Sequence, residues 1–258
     1  MRGCVCPHPP LLVPEIGRGN LDEVAATVAG MERLAEAAGE ADTAVIISPH
    51  TPTYFDAFTV KNAPTLAGDF AAFGCPHVRT EIANDVDFVE TLLAAASGAH
   101  VRLEPSADAD LDHGILVPLM FLRARSLVSL SIMGGYPEHR RLGELVRAVA
   151  ENLQRDVLFI ASGDMSHRLI RGAPAGYDER GPAFDRRVVE LLAEGDFDSL
   201  EKLDGELVRR AGECGLRSLI ALGGFLGTDA TISPQVFSYE GPFGVGYLVA
   251  GFGLGATG

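Results

Sequence analysis

The chain has 258 residues and a formal net charge of −14, from 21 Lys plus Arg against 35 Asp plus Glu. Apolar residues make up 47% and charged residues 22%, the composition of a globular chain that can bury a large core, which excludes disorder as its main state. The acidic surplus argues against a nucleic-acid binder and against a basic membrane-surface helix, because both need a cationic face.

Residues 3–6 form a short apolar run that reads as a buried strand. Pro7, Pro9 and Pro10 follow it and break the helical run that a signal peptide would need, so none is expected. Asn20 can cap a helix over 21–38, and Gly39 can stop it. Strands are predicted at 43–48, 57–60 and 78–82, then a helix at 85–96. His113 opens a short apolar helix. A strand at 127–133, a helix at 137–154 and a strand at 157–162 come next. Helices at 182–193 and 216–226 precede strands at 231–238 and 245–252. This alternation predicts an α/β fold. With no linker rich in Pro, Gly or Ser, residues 1–258 read as a single domain, a central mostly parallel sheet flanked by helices. No apolar window approaches the length of a membrane span, and the expected compartment is the cytoplasm.

Four cysteines are present, Cys4, Cys6, Cys75 and Cys214. Cys4 and Cys6 would share one face of a strand. With no C-x-x-C pair, a zinc ribbon or thioredoxin-type motif is unsupported, and reduced thiols are expected. Residues 253–258 match G-x-G-x-x-G by letter but lack the following helix that a dinucleotide site requires.

Seven histidines are spread along the chain, and four share a context. His8 follows the first strand in Pro-His-Pro-Pro. His50 follows Val45-Ile46-Ile47 in Ser-Pro-His-Thr-Pro. His167 follows Val157-Leu158-Phe159-Ile160 in Ser-Gly-Asp-Met-Ser-His. His113 lies in Leu-Asp-His-Gly-Ile-Leu-Val-Pro-Leu. Ligands of open α/β sheets bind outside the carboxyl ends of the strands, so histidines there can converge although distant in sequence. Neighbouring prolines restrain the backbone and present the imidazole with little loss of freedom. Imidazole is a common metal ligand and the acid/base group suited to neutral pH. His77, His100 and His139 lack this context and read as surface or structural residues.

Glu213 and Cys214 stand side by side before an apolar helix. Glu213 can serve the helix dipole or act as a metal ligand; two histidines and a carboxylate make the facial triad of non-haem Fe(II) oxygenases.

Six segments occur in order: Pro-His-Pro-Pro-Leu-Leu-Val-Pro-Glu-Ile-Gly, Ile-Ser-Pro-His-Thr-Pro, Leu-Asp-His-Gly-Ile-Leu-Val-Pro-Leu, Ser-Gly-Asp-Met-Ser-His-Arg-Leu, Gly-Glu-Cys-Gly-Leu-Arg-Ser and Tyr-Glu-Gly-Pro-Phe-Gly-Val-Gly-Tyr. Together, from Pro7 to about Gly251, they resemble the catalytic-subunit (LigB-like) superfamily of class III extradiol ring-cleavage dioxygenases. The nearest resemblance is to the Memo-like dioxygenase domain of the AmmeMemoRadiSam system. The resemblance implies a mononuclear Fe(II) site, with zinc or copper as alternatives, and a small aromatic substrate cleaved with O2. It implies metal ligation by His8 and His50, with the third ligand at Glu213 or Cys214. Glu213 is favoured for a dioxygenase and Cys214 is the alternative. His113 and His167 match acid/base histidines, and Asp164 an accompanying carboxylate. The resemblance also implies a homo-oligomer, a dimer, with an AMMECR1-domain or radical SAM partner, and no nucleic-acid or membrane partner. Two other outcomes it leaves open are a Memo-like copper or iron binder without ring cleavage and a Zn-dependent hydrolase using the same ligands.

Overall fold

The computed structural model describes residues 1–227 and 232–255. In chain order the elements are β1 (Arg2–Cys6), α1 (Pro14–Gly17), α2 (Ala25–Ala38), β2 (Glu40–Ser48), β3 (Phe58–Lys61), β4 (Thr65–Phe70), β5 (Cys75–Asn84), α3 (Val86–Ala96), β6 (Leu103–Ser106), α4 (His113–Leu119), β7 (Arg123–Ser131), α5 (Tyr136–Leu153), β8 (Val157–Ser162), α6 (Arg180–Glu194), α7 (Gly205–Ala211), α8 (Leu216–Leu226), β9 (Pro234–Glu240) and β10 (Tyr247–Phe252). They form one sheet with the order β4-β5-β7-β2-β8-β1-β10-β9, and β3 and β6 lie off that path.

The expected α/β architecture is present. Strands β5, β7, β2, β8 and β1 run parallel. Antiparallel partners finish both edges, β4 on β5 and the β10–β9 pair on β1. The central strands are buried on both faces, as continuous apolar runs such as Val45-Ile46-Ile47 require. Alternate side chains feed two core layers. Val45, Ile47 and Phe159 pack with α5 and α8 on one face, and Cys4, Ile46 and Ile160 pack with α2 on the other. Cys4 and Cys6 share the second face, both buried, with their sulfurs 3.8 Å apart.

Register sets where the site can form. Cys6 pairs with Ser162, and Ile47 with Ala161, so β1, β2 and β8 end at one level of the sheet. Helix α8 is brought close to α5 by glycine. A Cβ at Gly143 would overlap the Ala221 carbonyl, and one at Gly224 would overlap the Arg140 carbonyl. Only at a glycine pair can two helix backbones approach so closely.

Several elements differ from the sequence expectation for identifiable reasons. The helix predicted from residue 21 begins at Ala25, after a 3-10 stretch over Arg18–Val24 that contains Asn20. Its amino end is capped from β9: Thr27 donates its backbone N–H (2.7 Å) and its hydroxyl to Glu240. A cap 213 residues away leaves no local signal. Strand β7 starts at Arg123 and β5 at Cys75, earlier than the apolar runs, because exposed Arg123 and Arg125 in β7 and Pro76 and His77 in β5 interrupt the pattern. Strands β4 and β6 and helix α7 are additions to the predicted set. Gly68 and Asp69 disguise β4, Pro105 disguises β6, and α7 is a short helix capped by Asp204. Helix α6 starts at Arg180 with Pro182 in its first turn. The predicted strand start at Thr231 and the end of the glycine motif, 256–258, lie outside the described residues. Among the described residues no helix is long and apolar enough to cross a membrane.

His139 is fully buried and structural. Its Nδ1–H donates to the Gly135 carbonyl (2.7 Å), and its Nε2 accepts from the Met133 N–H (3.4 Å), fastening the turn between β7 and α5. Burial lowers its pKa from 6.5 to about 4, against the Gly135 carbonyl; Arg217 adds to the depression and Glu138 opposes it. Below the ordinary value the unfolded chain takes up the proton first. The stability His139 contributes is therefore present above pH 6.5 and is lost as pH falls toward 4. Wild type should exceed His139→Gln in urea stability at neutral pH. That margin should shrink on acidification by up to about 1.4 kcal/mol per pH unit. Urea titrations of both proteins at neutral pH and near pH ~5 check this; a constant margin contradicts it.

Candidate metal centre

Three imidazoles from three segments meet beyond the carboxyl ends of β1 and β2. One ligand atom each from His8, His50 and His113 lies within 4.8 Å of the others. His8 is buried, His113 half-buried and His50 exposed, so the cluster is closed on one side and open on the other. The His8 and His50 Nε2 atoms are 3.1 Å apart, and the His50 and His113 rings are tilted at 4.1 Å.

The chain fixes the tautomer of His8. The Ser162 hydroxyl donates its hydrogen to the Gly114 carbonyl. Its oxygen is then free to accept from His8 Nδ1–H at 2.9 Å. Nε2 is left as an unprotonated lone pair turned to the cluster. Burial, reinforced by His50, lowers His8 to about 3, and burial, reinforced by His50 and His8, lowers His113 to about 4. Both are neutral imidazoles at physiological pH, the form that binds metal. Unprotonated nitrogens converging on one point fit a metal ion.

Strand-end hydroxyls hold the other two histidines. His50 N–H donates to Ser48 Oγ (3.2 Å). Ser48 Oγ and Thr51 Oγ1 donate to the two oxygens of Asp112, at 2.8 and 2.7 Å. Asp112 precedes His113, so the carboxylate joins the start of α4 to the end of β2.

Glu213 and Cys214 take different directions. Glu213 turns back to α8: its Oε2 accepts from Leu216 N–H at 2.6 Å, and its carboxyl also accepts from Gly215 N–H. Burial raises its pKa against these two amides and Arg217. Cys214 turns to the cluster, with Sγ 3.8 Å from His8 Nε2. Burial and the neighbouring Asp164 carboxylate push its thiol pKa up.

Asp164 joins the two sides. Its Oδ1 accepts from His8 N–H (3.0 Å), its N–H donates to Cys214 Sγ (3.2 Å), and its carbonyl accepts from Cys214 N–H (3.3 Å). Burial raises its pKa to about 6, against the His8 amide and the imidazoles of His167 and His50. His167 Nδ1 is buried with no hydrogen-bond partner among the described residues. His113, expected as an acid/base group, is thus a member of the nitrogen cluster, while His167 stands next to it. His77 and His100 are exposed and away from it.

Four participants escaped the sequence reading: Ser48, Ser162, Asp112 and Phe73, whose ring lies 5.4 Å from that of His113. Ser48 and Ser162 each end a strand just before a site loop. That position was the available signal.

The chain belongs to the family described as the catalytic LigB subunit of aromatic ring-opening dioxygenase, whose model matches residues 3–250. It is 33% identical to Protein CA_C1420 of Clostridium acetobutylicum over 94% of this chain, and spans 55% of that protein's length. It is 26% identical to a 2,3-dihydroxyphenylpropionate/2,3-dihydroxicinnamic acid 1,2-dioxygenase of Burkholderia vietnamiensis, covering 91% of this chain and 92% of that one. A 3,4-dihydroxyphenylacetate 2,3-dioxygenase of Escherichia coli is 27% identical over about half of each chain, 51% and 52%. The crystal structure of an uncharacterized protein of Escherichia coli K12 has the same fold, with a TM-score of 0.67, 17% identity and coverage of 97% and 99%.

Ser162→Ala should lower metal affinity by about 10- to 100-fold, the usual cost of removing the group that orients a ligand imidazole. Competition against a chromophoric chelator measures it. Unchanged affinity would mean that the Ser162 bond does not select the His8 tautomer.

Proposed function

We propose that this protein is a non-haem Fe(II)-dependent extradiol dioxygenase that opens the ring of a catechol-type substrate. The observation that carries this reading is the group of three imidazoles within 4.8 Å of one another, two of them held neutral by burial. Family membership supports the reaction class, and two relatives are named for dihydroxylated aromatic acids.

In this reading His8, His50 and His113 hold the metal, with the Cys214 thiol beside His8, and Glu213 serves α8. Held there, Fe(II) would supply open coordination positions for an ortho-diol and O2. The exposed side of His50 leaves room for substrate to arrive. His167 is the acid/base group: its free Nδ1 can take a proton from a catechol hydroxyl. Asp164 orients His8 through the backbone amide and holds Cys214 in place.

His8→Ala and His50→Ala should lose bound metal. His167→Ala should keep its metal and lose about 10²- to 10⁴-fold in turnover. Metal analysis of the purified variants, with ring cleavage of a catechol panel by anaerobically iron-loaded protein, checks both statements. Full occupancy in both ligand variants would remove the site assignment.

The direction of Cys214 supports a second reading, a metal-binding protein of Memo-like type without ring cleavage. No cleavage of any catechol, together with tight Cu(I) binding that is lost in Cys214→Ala, would replace the first reading with this one.

A further inference from the structure

The tip of the β4–β5 hairpin presents an aromatic side chain to the histidine cluster. The 3-10 turn Ala71–Phe73 closes the hairpin, and Gly74, at φ +79°, reverses the chain there. Ala71 N–H donates to Asp69 Oδ1 (2.8 Å), and Gly74 N–H to the Ala71 carbonyl (3.0 Å), so the turn is held on both sides. Its two phenylalanines have different fates. Phe70 is fully buried and anchors the hairpin in the core. Phe73 stays 40% exposed, with its ring 5.4 Å from that of His113 and at 71° to it.

Other large hydrophobic side chains are left in solvent a few residues along the chain from the site histidines. Tyr54 and Phe55 follow His50 on its loop, and Ile170 follows His167. Ligand sites are typically apolar walls around a few polar groups, and flat rings pack against aromatic side chains in offset or edge-to-face geometry. A phenylalanine kept in solvent against a metal-site imidazole has the form of such a wall.

We propose that Phe73 is a specificity-determining residue: it packs against the ring of an aromatic ligand held at the His8–His50–His113 cluster and so selects flat aromatic ligands over aliphatic chelators of the same metal. The inference rests on the metal-site reading above. It assigns to the hairpin tip a role in ligand choice, separate from metal binding and from proton transfer.

The test uses two probes on protein loaded anaerobically with Fe(II). 4-Nitrocatechol is a flat aromatic diol whose visible spectrum changes on binding. Acetohydroxamate is an aliphatic bidentate chelator. Phe73→Ala should weaken 4-nitrocatechol by about fivefold, the size expected of one aromatic contact. Acetohydroxamate affinity, metal content and thermal melting should be unchanged, and Phe73→Tyr should restore aromatic binding. A Phe73→Ala protein that binds both probes as wild type does overturns the wall alone. Equal loss of both probes also overturns it, by showing that Phe73 only supports His113. A wild-type protein that binds acetohydroxamate and not 4-nitrocatechol overturns the wall and the ring-cleavage reading together.

Discussion

The end of β8 is the piece on which the rest of the site depends. Three consecutive residues there each hold a different neighbour. Ser162 receives the His8 ring and passes its hydrogen to the first turn of α4. Gly163 touches the α8 side: a Cβ on it would overlap the Cα of Gly215. Asp164 takes the His8 backbone amide on its carboxylate and exchanges hydrogen bonds with Cys214. One strand terminus thus joins residue 8, residue 114 and residue 214. Without it those segments share no covalent or local reason to meet.

This junction works because of the sheet beneath it. β8 lies between β1 and β2, parallel to both, so its end is level with theirs. Parallel strands feed their loops to one edge, and the loops after β1 and β2 supply His8 and His50 there. Helix α8 approaches from the side at a distance set by Gly143 and Gly224 against α5. The backbone contact of Gly163 with Gly215 is the far end of that same packing. The site geometry is therefore a consequence of core packing, and loop chemistry adds only the final hydrogen bonds.

Much of this was legible in the sequence, and the limits have physical causes. The four context-bearing histidines stood out because strand ends followed by proline or glycine are visible locally. Three of them form the cluster and the fourth borders it. The alternation of strands and helices gave the architecture. Sequence could not separate Glu213 from Cys214. Adjacent residues differ only in direction: Glu213 takes the local amides at the start of α8, while the direction of Cys214 depends on its bonds with Asp164, a tertiary contact. The same holds for the start of α2, capped by Glu240, and for Asp112, whose partners Ser48 and Thr51 lie on another strand's loop. That His113 joins the cluster was not legible, because nothing local says how far α4 reaches toward β2.

The opposite surroundings of His8 and His50 give the site a direction. His8 is buried, its ring nitrogen, backbone amide and charge state all set by Ser162, Asp164 and desolvation. His50 is exposed, and its backbone N–H donates to Ser48. A bound ion would sit against a rigid wall on the His8 side and face solvent on the His50 side. Phe73 of the hairpin tip stands beside His113, and the loop after His50 carries the exposed Tyr54 and Phe55. The net charge of −14 does not describe this region. His8 and His113 are neutral imidazoles, the Asp164 carboxylate accepts the backbone amide of His8, and the ring of Phe73 stands beside His113. The acidic surplus therefore sits apart from the cluster, whose character is set by imidazoles kept neutral by burial and a neighbouring phenylalanine ring.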